Sequence, residues 1–132
     1  MNYQRRPRTR ELQTIPGSPR SLKQIQEVFS LDDRPARPGR PLITTDHEVI
    51  HRWAEQRGAR PAITPGSSYH GELGVLRLEL PGFGGVVLQP VTWDEWFDHF
   101  NSQGLSFLYV EQWADGSPSN FHRLEGAYRI QA

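Results

Sequence analysis

The sequence predicts a small α+β fold: two helices and a small, mostly antiparallel sheet in the order α-β-(β)-α-β-β, preceded by an extended basic arm with one short amphipathic helix. Three observations carry that reading. Residues 45–58 and 92–104 each repeat apolar side chains at helical period, open on a threonine and stop at a glycine. Residues 75–80, VLRLEL, alternate apolar and charged side chains as a half-buried strand does. LSFLYVEQW (105–113) and NFHRLE (120–125) flank ADGSPS, whose Asp115-Gly116 pair is a hairpin turn signal.

The elements follow in chain order. Residues 1–20 read as irregular and basic. In SLKQIQEVF (21–29), Leu22, Ile25, Val28 and Phe29 make an apolar stripe at helical spacing, and Ser21 with Gln24 has the spacing of a capping box. So short a helix cannot hold in water by itself, so it docks on the body or folds on a partner. DRPARPGRP (33–41) reads as a stiff linker. The chain thus divides into an arm and linker over 1–41 and a compact domain over 42–132.

In 45–58, Ile50, Trp53, Ala54 and Arg57 share a face, and Gly58 takes the left-handed stop position. Residues 59–74, with Pro61, Pro65 and three glycines, read as a loop. PGFGG turns the chain after the strand, and VVLQP is a short second strand or an edge. In 92–104, Trp93, Trp96, Phe97 and Phe100 recur at i, i+3, i+4 and i+7, which assigns them, with Phe107 and Tyr109, to the core rather than to a stacking platform. Trp113, at the hairpin end, is the aromatic expected in solvent.

Composition excludes several functions. The chain has no cysteine, which removes disulfides, thiolate zinc sites and cysteine nucleophiles and suits a reducing, cytoplasmic setting. No apolar run approaches the roughly 18 residues of a membrane span, so no membrane partner is expected. The N-terminal arginines lack the apolar stretch of a secretory signal, and Pro7, Pro16 and Pro19 interrupt the helix that a transit peptide needs. The zero net charge hides an asymmetry. Residues 1–40 hold nine Lys/Arg against four acids, and residues 41–132 hold six against eleven. A basic arm on an acidic body is the pattern of an interaction tail, or of an arm that folds back on its own body.

His47-Glu48-Val49-Ile50-His51 matches the H-E-x-x-H pattern of zinc hydrolases. In such enzymes both histidines project from mid-helix and the glutamate is free to work on the metal-bound water. Here the motif lies in the first turn, where Thr45-Asp46-His47-Glu48 reads as a capping box, as Thr92-Trp93-Asp94-Glu95 does in the next helix. The metzincin continuation would need Gly and His where this chain has Ala54 and Arg57. No metal or other cofactor is expected. No G-x-S-x-G elbow is present, and Gly82, Gly84 and Gly85 lack the lysine and the helix of a phosphate loop.

The ordered series TTDHEVIHRWAEQRGARPA, GVLRLELPGF and VTWDEWFDHFNSQGLSFLYVEQWADGSPSNFHRLE resembles a family of small bacterial proteins without an assigned activity, many of which carry a 1,4-alpha-glucan branching enzyme label. The resemblance covers residues 44–125. It departs at Ala59, at Gln112-Trp113, at His122-Arg123 and at His51, where the family pattern has another polar residue, often arginine. It implies a shared fold unit. A branching enzyme resembles an amylase-type barrel of several hundred residues, which a body of this length cannot form, so the label implies no chemistry here.

The expectation is a non-catalytic protein-interaction or adaptor module, with Leu22, Ile25, Val28 and Phe29 presented to a partner's groove. The alternative is nucleic-acid binding, with Arg5, Arg6, Arg8 and Arg10 on phosphates. The remote alternative is a zinc hydrolase using His47, Glu48 and His51.

Overall fold

The computed structural model describes residues 25–65, 75–82 and 87–126. In chain order the elements are β1 (Gln26–Glu27), β2 (Pro41–Thr44), α1 (His47–Gln56), β3 (Arg60–Ile63), β4 (Leu76–Glu79), β5 (Gln89–Pro90), α2 (Trp93–Ser102), β6 (Leu105–Val110) and β7 (His122–Gly126). One sheet has the order β1-β2-β6-β7 and the other β4-β3-β5. Among the described strands only the β1–β2 pairing is parallel, so the α+β class with mostly antiparallel pairing holds.

Both helices form where their periodicity places them. The cap of α1 differs from the expected one. Asp46, not Thr45, is the N-cap, and its carboxylate accepts from the Val49 amide at 3.0 Å. Thr44 explains the shift: its hydroxyl donates to the Val28 carbonyl and accepts from the Asp46 amide, so the chain leaves the sheet and enters the helix within two residues. α2 has the expected capping box, with Thr92 and Glu95 exchanging side-chain-to-amide bonds of 3.0 and 3.1 Å. Gly58 and Gly104 end the helices at φ +69° and +65°.

Two strands went unforeseen. β2 lies at the end of the proline-rich stretch, and β3 carries Pro61 inside what reads as a loop. Pro61 has no amide to donate, but its carbonyl accepts from Val91, and Ile63 pairs with Leu76 across the ladder. The predicted helix at 21–29 is corrected over its described part. Gln26–Glu27 is extended and pairs with Leu42 and Ile43, and the Val28 amide donates to the Ile43 carbonyl. Residues 25–40 are therefore part of the folded unit rather than a linker before it.

One core serves both sheets. Leu42, Phe107 and Tyr109 of the first sheet meet Ile50 and Trp53 of α1, Trp96 and Phe100 of α2, and Ile63, Leu76 and Leu78 of the second sheet. Each such side chain contributes about 1.5–3 kcal/mol on burial.

Candidate functional site

His47 and His51 both make packing and polar contacts within the fold. The His47 ring stacks on Phe97 at 4.1 Å between centroids, and its Nε2 lies 2.9 Å from the Asn101 side-chain oxygen, so it fastens α1 to α2. His51 meets Trp93 edge-on at 5.0 Å and lies 3.7 Å from Glu55. Glu48 is exposed in the first turn, where a carboxylate suits the helix dipole. Among the described residues no group of three or more His, Asp or Glu is placed to hold a metal ion.

Among the described residues, one heavily bonded polar side chain is one that periodicity assigns only to a helix face. Arg57 donates from Nε to the Ser119 carbonyl at 2.6 Å, from Nη2 to the Glu111 carbonyl at 2.9 Å and from Nη1 to the Trp53 carbonyl at 3.0 Å. Its guanidinium lies 4.2 Å from the centre of the Trp53 ring. It thus fastens the end of α1 to both arms of the β6–β7 connection. Burial lowers its pKa from the ordinary value and Glu111 opposes that shift.

Tyr109, beside it, is 1% exposed, and its hydroxyl has no hydrogen-bond partner among the described residues. Burial, then the charge of Glu111, pushes the phenol well above its ordinary pKa, so it stays neutral. His122, opposite Tyr109 in the ladder, stacks on Phe107, and burial holds its pKa below 6.5.

The second feature is the turn after β1. The Phe29 amide donates to Asp33 at 2.7 Å, Asp33 donates its own amide to the Ser30 carbonyl, and Arg34 and Arg52 both donate to the Leu31 carbonyl. Gln26 closes the turn, donating to the Arg34 carbonyl and accepting from the Ala36 amide. Arg52 also lies 3.8 Å from Glu111, which links this turn to the Arg57 cluster. On this rigid backbone Phe29 is 66% exposed.

The four residues expected to face a partner are therefore separated. Ile25 and Val28 are buried in the chain's own fold at 7% and 4% exposure, and Phe29 stands in solvent. Leu22 lies outside the described residues, as do Arg5, Arg6, Arg8 and Arg10. Trp113 is exposed as anticipated. The fixed turn around Phe29 had no sequence signal beyond the Asp32-Asp33 pair.

No family model matches the chain, and neither a curated protein nor a solved structure does. Among the described residues no helix is long and apolar enough to cross a membrane.

Proposed function

We propose that the protein is a non-catalytic interaction module that engages a protein partner in the cytoplasm through Phe29 and the basic arm before it. The supporting observation is the display of Phe29. A large apolar ring stands in solvent on a turn fixed by a set of side-chain-to-backbone bonds. Such a ring loses little conformational freedom on binding, which favours it as an anchor in a partner's pocket. The sequence likeness to the small bacterial family named above fits a scaffold of this kind, and we place the chain there as part of the same proposal.

Phe29→Asp changes an exposed side chain and leaves the core intact. The test is capture of partners from source-cell lysate by wild type and by this variant, with and without nuclease. Loss of a nuclease-resistant protein band in the variant supports the reading; an unchanged band sinks it. The second reading is a nucleic-acid tether, favoured by the four arginines within residues 5–10. It requires that bound material vanish with nuclease and that affinity fall steeply between about 50 and 200 mM salt.

A further inference from the structure

We propose that β7 is a self-pairing edge, which joins two copies of this chain into one continuous sheet through an antiparallel β7–β7 contact centred on Leu124. Among the described strands β7 pairs with β6 alone, and none of them covers its outer edge. The other edges differ. Along β1 the Gln26 side chain bonds to residues 34 and 36, and β5 ends in Pro90, which has no amide to offer. β4 carries a similar Arg77-Leu78-Glu79 run, but Glu79 is held by Arg60 and Arg77 by Thr64, both across to the β3 side.

The direction of the free groups follows from the ladder. The Val110 amide donates to the Phe121 carbonyl. In antiparallel pairing bonded and non-bonded pairs alternate, so Arg123 and Glu125 spend their backbone groups on β6. His122, Leu124 and Gly126 then point theirs outward. A two-fold axis at Leu124 sets Leu124 against itself as a bonded pair and His122 against Gly126 as the next. Every outward group of the strand finds a partner.

Charge selects the same register. Arg123 and Glu125 lie on one face of the strand and pair with each other within it. The axis at Leu124 places Arg123 of one copy opposite Glu125 of the other, in the closer, non-bonded position. Axes at residue 123 or 125 would oppose like charges. On the core side Leu124 is partly buried against the main cluster, and its twin extends that apolar layer across the junction. Gly126 leaves room opposite the His122 ring.

A five-residue edge makes a small contact, so association depends on concentration. Sedimentation equilibrium on the full chain from about 10 μM to about 1 mM should show mass rising from monomer to dimer. Arg123→Glu should move the midpoint at least about tenfold upward, and Arg123→Glu with Glu125→Arg should restore it. Amide exchange at Leu124 should slow as concentration rises, a readout that needs no variant. A monomer throughout overturns the proposal. So does a dimer indifferent to Arg123→Glu, or one whose Leu124 amide exchanges equally fast at both ends of the range.

Discussion

Arg57 acts through its donors more than through its charge. It donates to three backbone carbonyls, one of which, that of Glu111, also accepts from the Ser119 amide. Arg57→Met keeps the aliphatic cover on Trp53 and removes those charged donors, so stability should fall by about 1.5–3 kcal/mol in urea titration. Arg57→Lys should recover less than half, because an ammonium lacks the planar fork. His122 gives a pH prediction. Its folded pKa lies below its ordinary 6.5, so the unfolded chain binds the extra proton first. The stability it contributes is whole above 6.5 and is lost as pH falls toward the folded value. His122→Phe keeps the stacking and removes the titration. The urea midpoint of wild type should therefore drop more than that of the variant between pH 7.5 and pH 5. Of these roles the sequence disclosed only that Arg57 shares a helix face with Trp53 and Ala54. Helical spacing put Arg57 near the core, but two of its three acceptors lie more than fifty residues away, where no local pattern reaches.

The helices were legible because their signals are local. Period, cap and stop all lie within one segment, and only the cap of α1 moved by a residue. The correction is testable: Asp46→Ala should cost about 1 kcal/mol and Thr45→Ala a few tenths, while Thr92→Ala should cost about 1 kcal/mol in α2. The strands fared less well. β2 and β3 are four residues each and both contain proline, so neither offers enough alternation to register. The 21–29 stripe misled for a related reason. Ile25 and Val28, three apart, share a helix face but lie on opposite faces of a strand. Both are buried in β1's surroundings, since the sheet buries Leu42 on one side and Ile43 on the other. A spacing of three with both ends apolar fits a doubly covered strand as well as an amphipathic helix.

At the scale of the molecule, the shared core makes the two sheets one cooperative unit. Leu42→Ala in the first sheet and Leu78→Ala in the second should each cost about 2–5 kcal/mol. Each loss should shift tryptophan fluorescence and far-UV circular dichroism by the same amount. Two separate transitions would show the sheets to be independent. The fold class was readable from the whole pattern, but the split into two sheets was not, because it depends on β2 finding β6 across the intervening chain. That pairing has a consequence during synthesis. Ile43 meets Leu108 only after the residues between them, and the ribosome tunnel, have been cleared. At translation speeds of about 5–20 residues per second, Leu42 and Ile43 wait several seconds without their β6 partners. In that interval the nascent chain presents sticky, unfinished surface, and a holdase chaperone has its opening there.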